Sequence, residues 1–208
     1  MSCGRWAVAT GNAGKLREIR AILFDLDLEL VGLADLPAVE LPEEGDDYTA
    51  NALAKARAVA RASGMPALAD DSGLEVDALG GGPGPRSARY GGPGQDDAGR
   101  VARLLEDLAG VPRERRGARF VCVAALAGPD GSARTARGEC AGRILTAPRG
   151  AGGFGYDPVF WVEELGAAMS ELPAALKNRI SHRGRAFGAL REPIAAAQKR
   201  AKTSSGAG

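Results

Sequence analysis

Residues 6–19 read Trp-Ala-Val-Ala-Thr-Gly-Asn-Ala-Gly-Lys-Leu-Arg-Glu-Ile, and this stretch decides the fold class. Residues 6–10 form a short apolar strand. Gly11-Asn12-Ala13-Gly14-Lys15 is a turn, and Leu16, Ile19, Ile22 and Leu23 then recur at helical spacing. Working outward, residues 28–31 read as a second strand and residues 33–47 as a loop rich in proline and acid. Residues 48–63 read as a helix with Leu53, Ala56, Val59 and Ala60 on one face, and residues 67–69 as a third apolar strand. The order strand–helix–strand–helix–strand specifies an α/β layered structure.

Further along, residues 80–94 are a loop dense in Gly and Pro, followed by a helix over 95–108 with Val101, Leu104, Leu105 and Leu108 on one face. Residues 118–127 form a long apolar strand, and residues 133–144 its antiparallel partner across the hairpin turn Gly128-Pro129-Asp130-Gly131. A second glycine-rich loop (150–157), a strand (159–162) and a helix (183–197) complete the pattern, with a kink expected at Pro193. There is no internal repeat and no linker long enough to separate independent units. We therefore expect one domain over residues 1–200 and a frayed, small-residue tail over 201–208.

The bulk properties narrow the function. The 208 residues carry a net charge of +1, so no global field draws the chain to nucleic acid or a membrane surface, and no continuous basic stripe is present. A polyanionic ligand must be met by a local basic cluster. Cys3, Cys122 and Cys140 are odd in number and lack C-x-x-C spacing, and His182 is the single histidine. A disulfide framework and a zinc site are thus disfavoured, and a reducing cytoplasm is expected. Residues 1–6 lack an apolar leader and no apolar run approaches the ~18 residues of a membrane span, so neither signal peptide nor span is expected.

Five constellations could carry chemistry. Asp70-Asp71, after the residues 67–69 strand and before Ser72-Gly73, read as a carboxylate pair in a sharp turn. Adjacent like charges favour a bound cation or a raised pKa on one member, which suits metal-assisted hydrolysis; a solvated turn is the ordinary alternative. Thr10 to Lys15 could cradle phosphate with backbone N–H groups and a cation, or could be a capped helix start with a solvated Lys15. It is not a Walker A loop, because Ala9 and Leu16 break that pattern. Glu43 or Glu44 could complete a magnesium site with the aspartates, with Asn51 and Lys55 sharing a helix face nearby; the alternative is a solvated acidic loop. Gly152-Gly153-Phe154-Gly155-Tyr156-Asp157-Pro158 could stack on a nucleobase or could simply anchor the next strand. Lys177-Asn178-Arg179-Ile180-Ser181-His182-Arg183 is a donor cluster suited to phosphate or a keto oxygen, or a helix start capped by Ser181. Jointly these supply what a nucleoside triphosphate site needs.

With these motifs in this order, the chain resembles the inosine/xanthosine triphosphate pyrophosphatase family. The carrying segments are Thr10 to Lys15, Asn51-Ala52 with Lys55-Ala56, Ala69 to Leu74, Pro83 to Tyr90, Gly153 to Pro158 and Ser181 to Arg183. The resemblance implies an elongated, two-lobed α/β fold with a long central mixed sheet flanked by helices and an active-site cleft between the lobes. It implies a homodimer that cleaves ITP, dITP and XTP to the monophosphate and pyrophosphate with Mg²⁺. Residue by residue, it implies that Thr10, Gly11, Asn12, Ala13, Gly14 and Lys15 hold phosphates and that Glu43 and Asp71 bind the metal. Asp71 would be the general base, supported by Asp70 and Lys55. Ser72 would contact substrate. Phe154, Gly155, Tyr156 and Asp157 would surround the base, with Lys177, His182 and Arg183 completing recognition. Ala50 stands where the family commonly has Glu, which bears on the helix start rather than on the chemistry.

Overall fold

The computed structural model describes residues 4–205. Cys3 and residues 206–208 lie outside the described residues. The chain opens with β1 (Gly4–Val8), α1 (Ala13–Ile22) and β2 (Leu28–Gly32), then α2 (Tyr48–Ser63) and β3 (Ala67–Val76). β1 pairs in parallel with both β2 and β3, as a strand–helix–strand–helix–strand series requires. The limits of α2 follow from its caps: the Asp47 side chain accepts from the Ala50 N–H, and Gly64 turns the chain out at φ 67°.

β4 (Pro83–Gly84), α3 (Asp97–Asp107), β5 (Gly117–Ala127), β6 (Ala133–Ile144), β7 (Phe160–Val162) and β8 (Ala167–Ala168) follow. They give a mixed sheet of order β2-β1-β3-β5-β6-β7-β8, with β4 alongside β3. β5 and β6 form the expected hairpin, in register from Gly117↔Arg143 to Ala127↔Ala133. The loop expected over residues 80–94 is ordered by short 3-10 turns and by β4, with several glycines at positive φ.

Three expectations are corrected. β3 does not end at the aspartates; it continues to Val76 and pairs with β5 throughout, with Asp70 opposite Ala124 and Asp71 opposite Val123. Gly73 is a strand glycine, because a Cβ there would lie 2.0 Å from the Gly84 carbonyl oxygen of β4. It marks a close backbone approach, not a turn. The last two helices are α4 (Ala174–Ile180) and α5 (His182–Ser205), and the first of these was not anticipated. α5 takes in Pro193 and runs to Ser205.

Apolar side chains gather into three cores. On one sheet face, Ala67, Ala69, Val121 and Val123 pack under α2. On the other, Leu68, Cys122 and Ala124 pack under α1 and α5 through Ile19, Phe187 and Leu190. At the far end, Leu74, Phe120 and Ile144 join α3 and β7 through Leu104 and Phe160. β3, β5 and β6 therefore run through both ends of the molecule. Completely buried leucines such as Leu68, Leu74 and Leu104 each contribute about 1.5–3 kcal/mol relative to exposure. No helix among the described residues is long and apolar enough to cross a membrane.

Candidate active site

Successive residues of a strand point to opposite sheet faces, so β3 sends Asp70 and Asp71 in different directions. Asp70 meets Lys15 Nζ at 3.0 Å and Arg183 Nη2 at 3.0 Å. Asp71 faces α2, where Asn51 Nδ2 donates to it at 2.8 Å and Lys55 Nζ lies at 3.4 Å. The pair is thus split by the pleat and neutralised by separate cations. Mutual repulsion, the basis of the sequence argument, is not what sets their protonation.

Burial alone would raise the pKa of Asp70, but Lys15 and Arg183 outweigh it and hold the carboxyl well below the usual range. Asp71 moves the other way: burial, helped by Glu44, raises it against the pull of Lys55 and Asn51. Asp70 is therefore a fixed anion within an ion-pair network, and Asp71 is the more basic carboxylate. The Oδ1 atom of Asp70 is buried without a hydrogen-bond partner.

Lys15 is held by local geometry. Thr10 Oγ1 accepts from the Asn12 N–H at 3.2 Å, and Asn12 Oδ1 caps α1 by accepting from the Lys15 N–H at 3.0 Å. The helix start is capped as in the ordinary alternative, yet its lysine is not solvated. Gly11, Asn12 and Ala13 are exposed at the turn. Gly14 lets the aromatic loop approach, since a Cβ there would sit 2.8 Å from the Phe154 ring.

Phe154 is half-buried, with Lys177 Nζ 4.8 Å and Arg183 Cζ 5.8 Å from its ring centre. Its two loop companions have bracing roles. Tyr156 is buried and donates to the Ser87 carbonyl at 2.9 Å; Asp157 accepts from the Phe154 N–H at 2.8 Å and pairs with Lys177. Arg183 also donates to Ser72 Oγ at 2.9 Å. His182 stacks on Phe120 at 4.8 Å, and its Nδ1 is buried without a partner. Burial, with Arg183 next in effect, pushes its pKa well below the usual value, so the ring is neutral at pH 7. Ser181 Oγ accepts from the Gly184 N–H at 3.1 Å, capping α5 as its position suggested.

One cavity joins these groups across the molecule. Lys15, Ser72, Phe154, Lys177, His182 and Arg183 all line it, with Leu74 and Phe120 from the far core. Lys55, Asp71 and Glu44 are not among its lining residues; they sit together on the α2 side of β3. Glu43 is exposed, whereas Glu44 is half-buried and its Oε1 meets Lys55 Nζ at 2.5 Å. The acidic loop thus directs Glu44 to Asp71's cation. Among the described residues, no group of three or more His, Cys, Asp or Glu side chains converges.

Two groups of residues escaped the sequence reading. Glu18 is buried on α1 and pairs with Lys177 at 2.8 Å and Arg183 at 2.6 Å, partners more than 150 positions away. Its only signal was an acid on a face otherwise shared with Ile19 and Ile22. Asp97, in the first turn of α3, accepts from the Gly155 N–H at 2.7 Å, and both it and Arg100 line the cavity.

Fold and site together define an α/β protein whose mixed sheet carries a cavity suited to an anionic, partly aromatic ligand. The Ham1 family model matches residues 6–193, and the chain belongs to that family. It is 53% identical over 191 residues to a dITP/XTP pyrophosphatase of Geobacter sulfurreducens, covering 91% of this chain and 96% of that one. A dITP/XTP pyrophosphatase of Thermus thermophilus is 53% identical over 186 residues, 89% of each chain. Among solved structures, a HAM1 protein from Coxiella burnetii superposes with a TM-score of 0.80 at 37% identity, covering 92% of this chain and 98% of that one. A nucleoside-triphosphatase / dITP/XTP pyrophosphatase from Mycobacterium abscessus gives 0.71 at 44% identity, covering 89% and 98%.

Proposed function

We propose that this chain is a nucleoside triphosphate pyrophosphatase that hydrolyses non-standard purine nucleotides (ITP, dITP and XTP) to the monophosphate and pyrophosphate. The names of its relatives support the substrate class. The observation that carries the reading is the division of labour on β3: Asp70 organises the cations that face the cavity, and Asp71 keeps a more basic carboxylate on the α2 side.

In this reading Lys15, at the capped start of α1, meets the phosphate chain. Asp71 accepts the proton of the attacking water, and Lys55 offsets charge developing on the phosphates. Phe154 offers its face to the base. His182 lines the same cavity as Phe154, and its Nδ1, buried without a partner, is the polar atom we assign to a 6-keto purine. Glu44 and Asp71 supply hard oxygens of the type magnesium prefers, and two carboxylates suffice for an ion that fills its shell with water and substrate oxygens. When bound there, magnesium would offset the charge of the triphosphate. Glu44 replaces Glu43 in this assignment because its side chain is the one directed to the Lys55–Asp71 pair.

We infer a homodimer from the resemblance alone, and the buried free cysteines Cys122 and Cys140 accord with a reducing cytoplasm. The test is a hydrolysis screen of ITP, dITP, XTP, GTP and ATP with and without Mg²⁺, with products identified by ³¹P NMR. Pyrophosphate from the first three substrates, dependent on Mg²⁺, is expected. Binding without turnover would leave a nucleotide sensor, and turnover confined to modified pyrimidine nucleotides would assign a different pyrophosphatase.

A further inference from the structure

A second cavity, of about 340 Å³, shares no lining residue with the first. Arg113, Arg116, Arg143 and Arg149 line it, with Thr146 and Trp161. Arg116 is buried and fully engaged: its guanidinium donates to the carbonyls of Leu108, Val111 and Leu145 at 2.7–3.0 Å. It builds the wall. The other three arginines have capacity left. Arg143 and Arg149 lie 5.2 and 5.1 Å from the Trp161 ring, which orients both. Arg143 pairs with Glu163 and Arg149 with Glu171 at 3.0 Å. Arg113 is exposed and has no acidic partner within salt-bridge distance among the described residues. Four guanidinium groups thus face one cavity against two carboxylates.

Arginine forks match the oxygens of phosphate groups, and several around one space favour a multiply charged oxyanion over a single carboxylate. We propose that this cavity is a separate binding site for a phosphate-bearing anion, held by Arg113, Arg143 and Arg149 over Trp161. The chemistry is shared by free pyrophosphate and by the phosphate of a nucleoside monophosphate. The site adjoins the aromatic loop: Arg149 directly precedes Gly150, its N–H donates to the Pro158 carbonyl at 2.8 Å, and its own carbonyl accepts from Ser170. An anion that draws Arg149 from Glu171 therefore acts on the stem of the loop carrying Phe154. The site itself does not depend on the proposed hydrolysis.

The chain has two tryptophans, and Trp6 is buried in the opposite core, so their indole N–H resonances report on the two ends separately. The full-length protein is titrated with sodium pyrophosphate and, separately, with IMP, at constant ionic strength and without Mg²⁺. Trp161→Phe assigns the signals. The expected result is a saturable shift of the Trp161 resonance with Trp6 unmoved, and a Kd at least about tenfold weaker in Arg113→Glu and Arg149→Gln. A shift with pyrophosphate identifies the free anion, and a shift with IMP alone identifies the nucleotide phosphate. No Trp161 shift with either ligand, an equal shift from sodium chloride, or unchanged affinity in both variants would overturn the site.

Discussion

Asp70 and Asp71 are adjacent in sequence, yet they engage different cations on opposite faces of one strand. Their substitution should therefore have unlike consequences. Asp70→Asn leaves Lys15 and the buried Arg183 without their shared anion. Breaking a buried pair in this way costs about 3–5 kcal/mol, and we expect Asp70→Asn to lose stability on that scale in urea unfolding. The sign in pH follows from the depressed folded pKa. The stabilisation is present above the unfolded value of about 3.9 and is lost as pH falls through the folded value. The variant should accordingly show a flatter acid limb of stability than the parent.

Glu44 and Asp71 should be linked through pH. Glu44 raises the Asp71 pKa and also occupies Lys55, which opposes that rise. Glu44→Gln removes the first effect and frees the lysine, so the Asp71 pKa must fall. In the proposed mechanism activity needs ionised Asp71. The acid limb of kcat/KM for the parent should therefore lie above the ordinary aspartate value of about 3.9, and in Glu44→Gln it should move to lower pH. Movement to higher pH would contradict the assignment of Asp71 as base. Glu44→Gln should also raise the Mg²⁺ concentration needed for half-maximal rate, while Glu43→Gln should not.

Phe154 and Gly14 should act on binding. Stacking of a base on an aromatic ring is worth about 1–3 kcal/mol, so Phe154→Ala should raise KM for ITP by about 5–150-fold with a smaller change in kcat. Gly14→Ala should do the same without removing the ring, because its Cβ would meet Phe154 at 2.8 Å and displace it. An unchanged KM in both variants would remove Phe154 from base recognition.

Where sequence patterns were local, they carried far. The span of α2 was readable from the face of Leu53, Ala56, Val59 and Ala60, and that of the β5–β6 hairpin from the Gly128-Pro129-Asp130-Gly131 turn. Asp70-Asp71-Ser72-Gly73 misled for an identifiable reason. Gly73 resembles a turn residue, but its lack of a side chain serves the approach of Gly84, eleven positions away. Glu18 was missed because its meaning depends on Lys177 and Arg183, which only the folded chain brings beside α1. Likewise, nothing local distinguishes Glu43 from Glu44; the loop's path to Lys55 does.

The central claim is that Asp71, not its neighbour, activates the water. The direct measurement is steady-state ITP hydrolysis by Asp71→Asn, with thermal unfolding recorded on the same preparation. General-base catalysis typically contributes about 10²–10⁴-fold, so turnover should fall by that factor while unfolding stays close to the parent's. Turnover within a few-fold of the parent, in a protein that unfolds normally, would contradict the account.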